Sequence, residues 1–313
     1  MSLLVRQIGA GATMQDAGRP GWRRFGIPPG GAFDRESLIL ANALLGQPAG
    51  SPALELVVMG ATFDVLEQCR VALVGARAPV KCSSVSLPSN GVFQLYPGDS
   101  LSIGVMTGAA RLYVACSAPS ESHSVLGSCS GQEIRVGNII GQVEAYQRWQ
   151  DHLSKGHAEE PRPPSQVHAL ADPPYSLFRG AIRILPGPQS ALFDLGKLTS
   201  EMFVATPQCD RVGLRLDGPT IGQPPELISE PACLGAIQVT PSGMLLILGP
   251  EGPTIGGYPK VAAVIDADLD RIAQIIPGQK VWFEMVTMEQ AAQLAAERQA
   301  RIDSVLSQLA TLK

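Results

Sequence analysis

Tyr258 and Lys260 stand on either side of a proline, directly after two glycines, in the stretch Glu251-Gly252-Pro253-Thr254-Ile255-Gly256-Gly257-Tyr258-Pro259-Lys260. A phenol and an ammonium placed in this way can hydrogen-bond a carbonyl oxygen and hold an anionic group. Gly256 and Gly257 permit a backbone turn that other residues cannot make, and Pro259 fixes the chain between the two polar heads. An ordinary surface turn carries the same residue types, and spacing alone leaves both readings open. The other residues capable of chemistry are dispersed: Asp16, Arg19, Asp34, Asn42, Glu55, Arg215, Glu230 and Gln238. Arginine and lysine can bind a carboxylate, and main-chain amides in glycine turns can stabilise an oxyanion. GxSxG, P-loop, GxGxxG and HExxH motifs are absent. Gly30-Gly31 lacks the lysine and hydroxyl of a phosphate-binding loop, so no nucleotide site is expected in this chain. Four histidines (His123, His152, His157, His168) and six scattered cysteines give no zinc spacing, and no metal site is expected.

The elements that must position these residues are short strands. Apolar or alternating runs bounded by turn residues recur at Leu3–Ile8, Ala53–Met59, Arg70–Val74, Val92–Leu95, Ser100–Gly104, Leu112–Ala115, Ala181–Leu185, Arg211–Pro219, Met244–Leu248, Val261–Ile265 and Val281–Met285. This pattern predicts a mainly β chain of barrels or sandwiches. Residues 13–34 form a long loop dense in glycine and proline with Asp16, Arg19 and Asp34 embedded in it, and loops of this length are often functional. Asp34 precedes a predicted helix with its apolar face at Leu38, Leu40, Ala41, Leu44 and Leu45, ended by Gly46. Asn42 falls within that face and must find a partner or face a site. Glu55 sits inside an apolar strand, where it is either buried with a partner or turned to solvent. At the other end of the chain Thr287 and Gln290 have capping-box spacing. They open a helix whose stripe runs through Ala291, Leu294, Ala295, Ile302, Val305, Leu306, Leu309 and Leu312.

With 313 residues the chain is long enough for two domains, and a net charge of −4 argues against nucleic acid as a partner. No apolar segment is long enough for a membrane span, and the first residues lack a signal-peptide pattern, which makes the cytoplasm the default expectation. Composition shifts to His, Glu, Pro and Ser near Tyr146 and back near Arg179. The expected divisions are therefore residues 1–145, a linker or exposed excursion at 146–180, and residues 181–313. The cysteines are expected to be reduced and buried.

In order along the chain, Thr13-Met14-Gln15-Asp16-Ala17-Gly18-Arg19-Pro20-Gly21, Pro28-Pro29-Gly30-Gly31-Ala32-Phe33-Asp34 and Ala41-Asn42 resemble the opening of the family formed by the C subunits of 5-oxoprolinase. That family is also called allophanate hydrolase subunit 2 or KipA, and it is similar to part of the carboxyltransferase region of urea carboxylase. Arg211 to Pro219, Gly235-Ala236-Ile237-Gln238-Val239, Gly256 to Lys260 and Pro277-Gly278 resemble its later motifs. The family usually has Gln-Thr-Thr before Gly-Gly-Tyr-Pro, where this chain has Gly252-Pro253-Thr254-Ile255. The resemblance implies two tandem cyclophilin-like β-barrel domains. It also implies one subunit of an ATP-dependent 5-oxoprolinase, which opens 5-oxoproline to glutamate. The partners it implies are homologues of that enzyme's B subunit (allophanate hydrolase subunit 1-like) and of its A subunit. The alternatives it implies are one subunit of a biotin-dependent carboxyltransferase-like enzyme, or a non-catalytic regulatory partner of a kinase-inhibitor-type protein. In the first reading the 16–34 loop and the 256–260 turn bind a small amide substrate. Lys260, Asp34 and Glu55 are the catalytic candidates. Asp16, Arg19, Asn42, Arg215, Gln238, Thr254, Gly256, Gly257 and Tyr258 are the binding candidates. ATP is expected on the complex rather than on this chain, and biotin only in the alternative.

Overall fold

The structure, a computed structural model, describes residues 2–9, 11–117, 124–141, 165–169 and 180–311. The chain is mainly β, with a few short helices and one long helix, Met288–Thr311. By contact it divides into two compact units. One comprises Met1–Gly18, Arg35–Ser176 and Gln308–Lys313, and the other Arg19–Asp34 and Leu177–Ser307. The glycine-rich loop is thus split, and its larger part belongs with the later half of the chain. Hydrogen bonds and burial account for this. Gly30 N–H donates to Pro250 O at 3.0 Å, Arg211 Nη2 donates to Gly31 O at 2.6 Å, and Phe33 is buried in the second unit's core. Most of the expected linker, with His152 and His157, lies outside the described residues, as does His123; Ser165–Ala169 within the linker is a strand paired with Gly91–Leu95.

The first unit has two sheets around one core. A six-stranded sheet runs Ile139–Gly141, Ser2–Ile8, Ala61–Val65, Ser100–Ile103, Val80–Cys82, Val85–Leu87. A seven-stranded sheet runs Gln132–Glu133, Thr13–Gln15, Ala53–Val57, Thr107–Cys116, Cys69–Arg77, Gly91–Leu95, Ser165–Ala169. Alternation sends Leu3, Val5, Phe63 and Val65 of the first and Leu54, Leu56, Leu73, Leu112 and Val114 of the second into a common cluster. Each such side chain contributes about 1.5–3 kcal/mol on burial. The residues between them, Glu55 and Tyr113 among these, point to the opposite face of the seven-stranded sheet. There the helix Arg35–Leu45 packs on the strands Cys69–Arg77 and Thr107–Cys116. Leu38, Leu40, Ala41 and Leu45 are buried as their spacing predicts and Leu44 is half-buried, and Gly46 closes the helix at φ +73° with its N–H on Ala43 O. All six cysteines are free; four are buried as expected, whereas Cys209 is half-buried and Cys233 exposed.

The second unit is built on an eight-stranded sheet. Its order is Lys280–Val281, Phe203–Ala205, Gly213–Asp217, Leu245–Leu248, Ala236–Val239, Lys260–Val264, Ile182–Pro186, Phe283–Met285. The two end strands are separated in sequence by Trp282 alone, so the sheet must curl until its edges nearly meet, giving a nearly closed barrel. Leu214, Leu216, Ile237, Val239, Leu245, Ile247 and Val261 fill its interior. A two-stranded ribbon, Glu230–Pro231 with Ile255–Gly256, lies outside this sheet. The long helix starts on its capping box: Gln290 N–H donates to Thr287 Oγ1 at 3.2 Å and Thr287 N–H to Gln290 Oε1 at 2.8 Å. Ala291 and Ile302 of its stripe are buried and Leu294, Ala295, Val305, Leu306 and Leu309 half-buried; Leu312 lies outside the described residues. Among the described residues no helix is long and apolar enough to cross a membrane.

Candidate functional site

Four strands of the eight-stranded sheet set a row of three polar residues and one leucine on its outer face. Arg215 pairs with Leu246, Leu246 with Gln238, and Gln238 with Lys260. Directly paired residues share a face, and their neighbours along each strand are the core residues, so this row faces away from the core. At the usual strand spacing the row is about 14 Å long from Arg215 to Lys260.

Lys260 reaches the row only through a β-bulge. Ile237 pairs with Ala262, so a regular ladder would set Gln238 opposite Val261 and Lys260 opposite the core residue Val239. The register instead slips between Ile237 and Gln238, bringing Lys260 opposite Gln238. A bulge re-aims side chains in this way at the cost of one unpaired residue. Lys260 is 7% exposed, and its ammonium needs a partner. It has one in Glu230, with Nζ donating to Oε2 at 2.7 Å. Gln189 fixes that pair from both ends. Its Nε2 donates to the same Glu230 oxygen at 3.0 Å, and its Oε1 accepts from Lys260 N–H at 3.0 Å. The hydrogen bonds from Lys260 and then Gln189 hold the Glu230 carboxyl below the usual glutamate range. A lowered carboxyl keeps the pair intact at neutral pH, and the pair is lost as pH falls through the lowered value. Gln189→Ala should therefore move the Glu230 titration midpoint upward, read by carbon-13 NMR of the carboxyl, and an unmoved midpoint would show that Gln189 does not hold the pair.

The ribbon covers the other side. Glu230 pairs with Gly256, and a β-carbon on Gly256 would stand 3.5 Å from Gln238 Nε2. Gln238 is 2% exposed, and its Nε2 finds no acceptor among the described residues. A buried amide N–H left in this state costs about 1–3 kcal/mol, so a ligand oxygen beside Gly256 and Lys260 would recover what the fold gives up. The expected glycine turn is corrected here. Ile255–Gly256 is a strand, and neither Gly256 nor Gly257 has positive φ. Gly257 sits in close approach to the backbone: a β-carbon there would lie 3.2 Å from Leu227 O, a tight contact.

The sequence candidates separate into those at this cluster and those with other work. Gln238, Lys260 and Gly256 meet. Gly257 and Tyr258 follow directly; Tyr258 is 42% exposed. Thr254 O accepts from Ala232 N–H at 2.9 Å, holding the ribbon's continuation. Arg215 closes the far end of the row and donates to Gln208 Oε1 at 2.9 Å. Arg19 and Asp34 belong to the second unit's loop; Arg19 N–H bonds Pro29 O at 2.7 Å, and the fully buried Asp34 carboxylate accepts from Gln274 Nε2 at 2.6 Å. Asp16, Asn42 and Glu55 belong to the first unit. The Asp16 carboxylate accepts from Gly18 N–H, Ser128 Oγ and Cys129 N–H at 2.6–2.8 Å, which ties down a turn. Asn42 Nδ2 donates to Ser51 O at 2.8 Å and so secures the chain after its helix. Glu55 is fully buried, accepting from Arg111 Nε at 3.1 Å and Tyr113 Oη at 2.5 Å. Sequence reasoning set Glu230 among the dispersed polar residues without a role and did not single out Gln189. The contacts that define them span 30, 41 and 71 residues, and no local pattern marks such pairs.

The family model for the carboxyltransferase domain, subdomain A and B, matches residues 25–285. The C subunit of the 5-oxoprolinase of Escherichia coli (strain K12) is 30% identical over 306 residues, covering 95% of each chain. That of Haemophilus influenzae is 29% identical over 314 residues, covering 96% of each. The crystal structure of TTHA0988 superposes with a TM-score of 0.76 at 30% identity, over 90% of this chain and 56% of that one. This chain thus spans about half the length of that protein. The Kluyveromyces lactis urea amidolyase has the same fold at a TM-score of 0.81 and 24% identity, over 97% of this chain and 20% of that one. A match of this extent to one family model, with a relative aligned end to end, places the chain in the carboxyltransferase domain family with subdomains A and B, among the C subunits of 5-oxoprolinase.

Proposed function

We propose that the chain is one subunit of an ATP-dependent 5-oxoprolinase and helps to open 5-oxoproline to glutamate together with partner subunits. The observation that carries this reading is the unpartnered amide of Gln238 beside the buried Lys260–Glu230 pair, in a chain aligned along nearly its whole length with the C subunit of a 5-oxoprolinase. In this reading Gln238 Nε2 donates to the lactam oxygen. Lys260 stabilises the charge that grows on that oxygen as the ring carbonyl is attacked. Gln189 and Glu230 hold the ammonium in position, Arg215 is available to a carboxylate, and Tyr258 lies close by as a further donor. Asp34 and Glu55 serve the fold, because each is fully buried with its carboxylate engaged. ATP would supply the drive for opening a stable lactam and is assigned to the partners, homologues of the B and A subunits. The cyclophilin-like class of each barrel, the heteromeric assembly and a cytoplasmic location belong to the same reading.

The test is reconstitution. Purified chain with homologues of the B and A subunits should convert 5-oxoproline to glutamate with ATP, and omission of the chain should abolish turnover. No turnover by the full set, while a related complex works in parallel, would overturn the reading. A second reading is carboxyl transfer with a biotin-bearing partner. It is favoured by the carboxyltransferase family match and by the fit of one amide N–H and one ammonium to a ureido oxygen. Biotin would supply the carboxyl group there, and transfer from a biotinylated carrier without 5-oxoproline turnover would select it. A regulatory partner without catalysis is the outcome if the chain pairs with a B-subunit homologue and neither reaction occurs.

A further inference from the structure

A cavity of about 460 Å³ in the second unit shares no residue with the Lys260 cluster. Arg183, Arg271, Arg298 and Arg301 line it, with Glu284 and Glu297. On the long helix Arg301 lies four positions after Glu297 and three after Arg298, so it neighbours both. Arg183 and Glu284 are paired residues on adjacent parallel strands.

Three of the four guanidinium groups, those of Arg183, Arg271 and Arg298, are held by Asp268 and Asp270, which do not line the cavity. Asp268 is fully buried and accepts from Arg183 N–H at 2.8 Å, from Arg183 Nε at 3.1 Å and Nη2, and from Arg271 Nη1 at 2.7 Å. Asp270, 1% exposed, accepts from Arg298. Arg271 is 8% exposed; its Nη atoms also donate to Ala181 O and Gly180 O at 2.8 and 2.9 Å, while its Nε finds no acceptor among the described residues. Charged groups fixed in this way have already lost the side-chain freedom that binding would otherwise remove. Guanidinium groups are suited to paired anionic oxygens, and a buried N–H without an acceptor gains most from one. A volume of this size accommodates a small organic molecule.

We propose that this cavity binds a small anion carrying two or more anionic oxygens, of the phosphate or dicarboxylate class. The lining arginines would hold it, and the exposed Glu284 and Glu297, which also line the cavity, limit its affinity by like-charge repulsion. Titration calorimetry of the full chain with inorganic phosphate and with succinate, at constant ionic strength set by sodium chloride, tests this. Saturable one-to-one binding of either probe is expected, and the stronger of the two identifies the class. Arg301→Gln should weaken that binding about tenfold, and Glu297→Gln should tighten it about fivefold. A gain of affinity cannot come from misfolding, so the second variant remains informative if the first folds poorly. Lys260→Met should leave the binding unchanged. Absence of saturable binding by both probes, indifference to Glu297→Gln, or loss of binding in Lys260→Met would each overturn the proposal.

Discussion

Lys260→Met is expected to lower kcat/KM for 5-oxoproline opening by the reconstituted complex by about 10²–10³, the usual cost of removing one donor to a developing oxyanion. Methionine keeps the apolar stem packed while removing the charge. The fold should tolerate the change, because Glu230 is 42% exposed at its side chain and can be hydrated once its partner is gone. The pair is open to solvent on its Glu230 side, and exposed ion pairs add little to stability, so the melting temperature should move little. Steady-state kinetics and a thermal melt on the same preparation check both halves. A rate within threefold of the parent would remove Lys260 from the chemistry. A collapse of stability with unchanged specific activity would make it structural.

Glu55→Ala is expected to have the largest effect on stability, about 3–5 kcal/mol, the cost of removing one partner of a buried ion pair. Glu55 and Arg111 are 0% and 5% exposed at their side chains, so water cannot replace the lost carboxylate at Arg111. Tyr113 loses the acceptor of its hydroxyl as well. Urea denaturation measures the loss. Adding Arg111→Met to Glu55→Ala should recover part of it, since two apolar side chains are tolerated better than one abandoned charge. A loss of turnover with stability intact would restore Glu55 as a proton-handling residue.

The strands were legible because their signal is local. Alternation places Leu54 and Leu56 in the core and Glu55 on the far face without reference to the rest of the chain. The far face is itself covered by the helix Arg35–Leu45, a tertiary fact, and this is why Glu55 could be read either as buried or as solvated. The Thr287–Gln290 box was legible because capping needs only three residues of spacing. Gly256 ends a strand and Gly257 follows it in close approach to the backbone, rather than the two forming the left-handed turn that a pair of glycines suggests. Glycine is required either by positive φ or by close approach, and residue type does not distinguish the two. Gln238 was visible as one of the dispersed polar residues and Lys260 as the last polar head of the glycine-rich stretch. Their meeting depends on a bulge that skips Val261, and no residue near it marks the slip. Arg298 lies on the inward side of the long helix because the buried Asp270, 28 residues earlier, receives it.

The central claim is that Gln238 holds its amide for a ligand rather than for the fold, and Gln238→Leu tests it most directly. Leucine fills similar space and removes a buried N–H that finds no acceptor among the described residues. Thermal stability should be unchanged or rise by up to about 1 kcal/mol. Calorimetric binding of 5-oxoproline to the reconstituted complex should weaken at least tenfold. Intact binding together with a marked loss of stability would contradict the account and return the amide to a structural role.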